Sequence, residues 1–185
     1  MASVEGYSLV LSSMEASRSE VDLEALVETY AALLFRVAHS VLRSRAEAED
    51  TVQDVFMRVL EHRRSLSAVQ DMRVWLIRIA WNLAIDRRRR VRPEQLDENF
   101  VNNLVAMHVP ADRAMDEAQR MKSVLGEMDR LPKAERQILL LSAVEELSTT
   151  EMAKVVGRSE SAVRALLFRA RARLCERLEK GKGKR

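Results

Sequence analysis

The chain has 185 residues, nearly half of them apolar and about a third charged, with 5 Gly and 3 Pro. That length supports one ordinary domain or two small ones, and that balance excludes a disordered chain and suits a soluble helical one. The net charge is only +3, yet residues 158–185 hold ten Lys or Arg against three Glu, residues 1–24 hold Arg18 against five acids, and Arg87–Arg92 contains five Arg. Such polarity predicts nucleic acid at the basic sites and something else at the acidic ones. The single Cys175 excludes an intramolecular disulfide, fits a reducing cytoplasm and, in a long helix, predicts a small core residue. No apolar run reads as long enough to span a bilayer, and no basic region precedes an apolar one at the N-terminus. The expectation is a cytoplasmic protein without membrane insertion.

Residues 1–22 read as a loose leader without a sustained period. From Leu23, the apolar positions Leu26, Val27, Tyr30, Leu34, Val37, Ala38 and Val41 keep three-four spacing and predict a core-facing helix. A second helix, about Ala46 to His62, carries two stripes. Val52, Val55, Phe56, Val59 and Leu60 make its core side, while Asp50, Gln53, Asp54, Met57 and Glu61 make an outward acidic stripe with an adaptable thioether in it. That stripe is either a solvated face or a partner surface. His62–Asp71 reads as a loop. Met72–Arg90 is a third helix, with a core face of Met72, Trp75, Leu76, Ile79, Ala80 and Leu83 and a second apolar side of Val74, Ile77, Trp81 and Ile85. Either both faces are buried, or one Trp stacks on an unpaired base. Arg87–Arg90 and Arg92 end this helix with a cationic cluster suited to its dipole and to phosphates.

Pro93 opens a polar stretch, 93–111, read as a linker, with Phe100 and Leu104 as docking points. A second helical domain spans 112–180 and a basic tail 181–185. Asp112 can cap a helix carrying Ala114, Ala118, Met121, Leu125 and Met128; Pro132 starts another that buries Ile138, Leu139 and Leu141 and runs to about Glu145. From Leu147 to Leu178 the pattern is a short helix, a sharp turn and a long helix. Ser148 and Glu151 have capping-box spacing, Ala153 lets two helices approach, and Gly157 can take a positive φ. Met152, Val156, Val163 and Leu166 can close a shared core. Ser159 can cap the long helix, which exposes Glu160, Ser161, Arg164, Ala165, Phe168 and Arg169, followed by Arg171 and Arg173. A groove-entering surface beside a basic run is the pattern of a DNA-binding helix-turn-helix. Arg158, just after the turn, stands where such motifs usually bury an apolar residue.

His39, His62, His108 and Cys175 lie far apart in the sequence and form no ligand set, and no phosphate-binding Gly loop, nucleophile triad or dinucleotide fingerprint is present. No enzyme, metal, cofactor or small-molecule substrate is expected.

With both halves in view, the chain resembles bacterial RNA polymerase sigma factors of the extracytoplasmic-function (ECF) group. The anchors are AEAEDTVQDVFMRVL (46–60), RVWLIRIAWNLAIDRRRR (73–90) and LPKAERQILLLSAVEELSTTEMAKVVGRSESAVRALLFRARARL (131–174). The resemblance implies an all-α chain of two small domains, a sigma region 2-like bundle at 23–92 and a region 4-like helix-turn-helix domain at 112–180, joined by a flexible linker. It implies that Asp50, Gln53, Asp54, Met57, Arg58 and Glu61 face the β′ clamp helices of core RNA polymerase, with the β flap a further contact of the polymerase. Melted non-template bases of the −10 element would meet Ser65, Ser67, Gln70, Asp71, Trp75, Trp81, Asn82, Asp86 and Arg87, Arg88, Arg89 and Arg90, with Trp81 the alternative exposed ring to Trp75. The −35 duplex would be read by Ser159, Glu160, Ser161, Arg164, Ala165 and Phe168, with Arg169, Arg171 and Arg173 on phosphates. An anti-sigma factor is the implied inhibitor. Ala165 and Leu166 depart from a polar pair common in the family, and Val144 from a common aromatic. A helix-turn-helix regulator with a helical dimerisation or sensing domain, and a protein-binding helical adaptor, are the rival expectations.

Overall fold

The computed structural model describes residues 22–90, 114–144 and 147–182. The leader, the linker with Phe100 and Leu104, the Asp112 cap and the basic tail therefore lie outside the described residues, as do the side chains of Ala114, Ala118 and Val144.

The first three helices pack on one another: α1 (Leu23–Leu42), α2 (Arg45–Glu61) and α3 (Met72–Arg90). Each start has a sequence cause. The Asp22 carboxylate accepts from the Glu24 and Ala25 N–H groups at 3.0 and 3.3 Å, and the Ser44 hydroxyl accepts from Glu47 N–H at 3.4 Å. α1 ends at Arg43, which takes a left-handed φ of 58° where Gly or Asn is usual. Leu34, Val37, Val41, Val55, Val59 and Leu76 fill the core between these helices. The α1 helix is long and apolar enough to cross a membrane by length and composition, which corrects the expectation that no run reaches that length. Its Leu33, Leu34, Val37, Ala38 and Val41 are instead buried within the protein.

Three other expectations are corrected. The 62–71 stretch is not all loop: Arg63–Ala68 forms a 3-10 helix, because Leu66 turns inward and is buried. Val27 and Leu60, placed on core stripes by periodicity, are exposed. Cys175 is exposed rather than a core residue.

The second group comprises α4 (Ala114–Asp129), α5 (Lys133–Val144), α6 (Thr149–Val156) and α7 (Glu160–Lys182), with α4, α5 and α6 all packed on α7. Ile138, Leu141, Met152, Val155, Val163 and Ala170 are its innermost residues.

The two groups touch. α3 packs on α6 and α1 on α5, and the buried apolar residues form one continuous cluster across both. Each residue turns about 100° around a helix, so Val74, Ile77 and Trp81 share the flank of α3 that carries Arg88. Arg88 lies 3.9 Å from Asp129, at the end of α4, so this flank faces the second group. On α3, Val74, Leu76, Ile77, Ala80, Trp81 and Ala84 are buried, while Met72, Trp75, Ile79, Leu83 and Ile85 are half-buried. Asp129 receives both amino groups of Arg43 at 2.5 and 2.8 Å and has Arg136 at 3.6 Å. A second ion pair, Arg73 to Glu151 at 3.3 Å, joins α3 to α6.

Candidate nucleic-acid and protein interfaces

The outer face of α2 presents Asp50, Gln53, Met57, Arg58 and Glu61 to solvent, with Asp54 half-buried at its edge. Met57 is 57% exposed, an apolar group among acids, while Val55 is buried and Phe56 packs against the core. The stripe is braced from behind. Arg87 of α3 donates to Asp54 Oδ2 at 2.6 Å, to the Glu47 carbonyl at 3.3 Å and to Glu47 Oε2 at 3.4 Å, with Asp50 Oδ2 at 3.9 Å.

Ser65, Ser67, Gln70 and Asp71 are exposed on the 3-10 helix and the turn into α3. Asp71 also serves the helix, its carboxylate accepting from Val74 N–H at 3.0 Å. Asn82 and Asp86 are exposed on α3 and Trp75 is half-buried. Trp81 is 4% exposed, which corrects the expectation of an exposed ring there: it lies on the flank that meets the second group. The arginine run splits in two. Arg87 turns to α2 and Arg88 turns to the Val41 carbonyl at 2.6 Å, whereas Arg89 and Arg90 are exposed. Burial lowers the pKa of Arg88, and the Arg136 and Arg43 charges lower it further.

In the helix-turn-helix, the Ser148–Glu151 capping box forms in both directions, Gly157 takes φ 66° and Ser159 accepts from Ala162 N–H at 3.3 Å. Met152, Val163 and Leu166 are buried and Val156 half-buried, so Leu166, a departure from the family pattern, is a core residue. Arg158 is exposed. Ser159, Ser161, Arg164, Ala165, Phe168, Arg169, Arg171 and Arg173 line the exposed side of α7. Phe168, 77% exposed, is the most exposed of the large apolar residues described. Glu160 is half-buried and accepts from Thr149 at 2.9 Å and from Arg164, which ties the starts of α6 and α7 together. Hydrogen bonds from Thr149, then Arg164 and Thr150, hold its pKa below the ordinary carboxylate value.

One carboxylate escaped sequence reasoning. Glu135, 4% exposed in α5, lies 2.9 Å from Arg173 and 3.9 Å from Arg169. Its position just after Pro132 reads as an ordinary first-turn acid. Arg171 makes no ion pair among the described residues and points its charge outward. No group of His, Cys, Asp and Glu that could hold a metal occurs among the described residues.

Known families and solved structures match the chain. Sigma-70 region 2 matches residues 26–94 and Sigma-70 region 4 matches residues 122–174. The chain is 30% identical over 156 residues to the ECF RNA polymerase sigma factor SigM of Bacillus subtilis, covering 82% of this chain and 92% of that protein. It is 30% identical over 181 residues to the RNA polymerase sigma factor CnrH of Cupriavidus metallidurans, covering 92% and 93%. The structure of CnrH in complex with the cytosolic domain of CnrY matches with a TM-score of 0.62 at 25% identity, over 89% of this chain and 95% of that one. The sigma factor RpoE of Bartonella quintana, solved with the anti-sigma factor NepR, shares the fold, with a TM-score of 0.60 at 18% identity over 85% and 97%. Two helical regions of this kind define the sigma-70 class. Within it, the chain belongs to the extracytoplasmic-function group of RNA polymerase sigma factors.

Proposed function

We propose that the chain binds core RNA polymerase and directs it to promoters by recognising a melted −10 element and a duplex −35 element. The observation that carries this is the pairing, in one sigma-family chain, of an exposed acidic face on α2 with an exposed cationic, aromatic face on α7. Asp50, Gln53, Asp54, Met57, Arg58 and Glu61 meet the β′ clamp helices, and the β flap is a further contact of the polymerase. Ser65, Ser67, Gln70, Asp71, Trp75, Asn82, Asp86, Arg89 and Arg90 meet the −10 strand, where a pocket or ring offsets part of the cost of unstacking a base. Ser161, Arg164, Ala165 and Phe168 enter the −35 major groove, and Arg171 holds phosphate together with the outer donors of Arg169 and Arg173. The work is positional, not catalytic, and takes place on the polymerase in the cytoplasm.

The packed arrangement of the two helical groups bears on this function. Elements centred at −10 and −35 are separated by about 25 base pairs, or roughly 85 Å of duplex. Helices α3 and α6 touch, so the groups must part to reach both. The 23 residues 91–113 span at most about 80 Å when extended. With the breadth of the two domains added, that reach suffices. An inhibitor protein that favours the packed form is the expected control; the similar sigma factor CnrH was solved in complex with the cytosolic domain of CnrY.

The test is transcription from genomic promoter fragments by core polymerase with and without the chain. Discrete start sites that need the chain support the proposal. If the polymerase neither binds the chain nor gains start sites, the proposal fails, and stable dimerisation with duplex binding would then identify a helix-turn-helix regulator.

A further inference from the structure

Arg87 belongs by sequence to a run of arginines that reads as a DNA contact, but its surroundings are those of a different role. Its side chain is only 24% exposed, and its guanidinium faces three carboxylates of α2: Asp54 at 2.6 Å, Glu47 at 3.4 Å and Asp50 at 3.9 Å. These acids stand at i, i+3 and i+7, hence on one helix face, where like charges repel one another. One cation against three anions leaves the cluster net negative. A DNA phosphate brought to Arg87 would meet that negative field at a few ångströms, whereas Arg89 faces the single exposed carboxylate of Asp86 at 3.8 Å and Arg90 is exposed at the end of α3.

The geometry points to Arg87 as a positioning residue for polymerase binding rather than a DNA ligand: it holds the Asp54 and Asp50 carboxylates in place for a partner on α2. This rests on the assignment of the α2 acids to the polymerase. Arg87 grips Asp54 through Oδ2, and among the described residues nothing donates to Asp54 Oδ1, which is left for the incoming surface. The planar fork of arginine engages Asp54 and Glu47 together, from two of its nitrogens, in a way a lysine cannot copy. The same contact lies between the polymerase-facing helix and the helix that carries the −10 candidates, so it sets their relative placement.

The experiment is a double-mutant cycle on the full chain, with affinity for core polymerase measured without DNA. Arg87→Ala and Asp54→Asn are each expected to weaken binding about tenfold, and the double variant no more than about twofold beyond either, because neighbours that act as a unit are non-additive. Arg87→Lys is expected to recover only part of the loss. Thermal unfolding of each variant is followed in parallel; if Arg87→Ala does not fold, Arg87→Lys and Asp54→Asn form the cycle. Additive losses, or an Arg87 loss that remains in the Asp54→Asn background, overturn the proposal. So does unchanged polymerase affinity with a salt dependence of promoter binding lowered by about one counterion, the signature of a lost phosphate contact. If Asp54→Asn alone has no effect on polymerase affinity, the assignment of α2 to the polymerase fails instead.

Discussion

Phe168 and Arg171 are neighbours on the exposed side of α7, and their chemistry separates two kinds of DNA contact. An exposed ring on a groove-entering helix suits the methyl of thymine, whereas an arginine with an outward charge suits phosphate. Phe168→Ala is expected to weaken binding of the preferred −35 duplex about five- to tenfold and to relax its sequence preference, with the salt slope unchanged. Arg171→Ala is expected to weaken all duplexes alike and to lower the slope by about one. Titrations at several salt concentrations on matched and mismatched duplexes separate the two. Glu151 permits a different test. Hydrogen bonds from the Ser148 hydroxyl and then its backbone N–H, with Arg73 and Lys154 adding to them, hold its pKa below the ordinary carboxylate value. A depressed folded pKa stabilises the protein above the unfolded value, near 4.3, and that contribution is lost as the pH falls through the folded pKa. Glu151→Gln is therefore expected to cost about 0.5–1 kcal/mol at pH 7, with the gap to the native chain closing below about pH 4 in urea unfolding.

At the scale of the element, the turn between α6 and α7 depends on one backbone angle. Gly157 holds φ at +66°, and a Cβ built there meets nothing within 4 Å. Any cost of a side chain is therefore conformational and not steric. Gly157→Ala is expected to destabilise the second helical group by about 1–2 kcal/mol and to lower −35 duplex affinity by tilting α7. Unfolding melts and duplex titrations of the full chain would register both, and an unchanged melting profile would contradict the role given to the turn. Arg43 offers the contrast. It also has a positive φ, yet its side chain pairs with Asp129 through two nitrogens, which compensates for a residue poorly suited to that angle.

At the scale of the whole molecule, Asp129 is the point where the two helical groups are joined by charge. Arg43, Arg88 and Arg136 converge on this single carboxylate, and Arg73 with Glu151 adds a second link. Removing the carboxylate leaves three guanidiniums facing one another, so attraction across the seam becomes repulsion. Asp129→Asn is expected to loosen the packed form by on the order of 2 kcal/mol. Cys175 is the one cysteine of the sequence and is exposed, so a dye there and another on Arg63→Cys would report the separation by energy transfer. A longer mean distance in Asp129→Asn, with tighter binding to −35 duplex, is the expected result. An unchanged distance would place the hold in the remaining links, the packing of α3 on α6 and of α1 on α5 and the Arg73–Glu151 pair.

Local features of the sequence determined the helices and the turn. The 3.6-residue period locates α3 at Met72–Arg90, and Ser148, Glu151 and Gly157 mark the short helix and its end, because caps and period act within a few residues of chain. The exposed faces of α2 and α7 are legible for the same reason: a face is a property of one helix. Which partner a face meets is not. Trp81 and Trp75 are alike in the sequence, and only the packing of other helices on α3 decides that Trp81 is buried and Trp75 half-buried. Leu60 and Cys175 have helical spacing with core residues yet are exposed among the described residues. The arginines of α3 are identical in the sequence, yet Arg87 meets Asp54 from 33 residues away and Arg88 meets Asp129 from the other helical group. Charge and periodicity assign a side chain to a helix face; the tertiary structure decides whether that face meets a carboxylate, an apolar surface or water, because those partners are brought in by packing between distant segments.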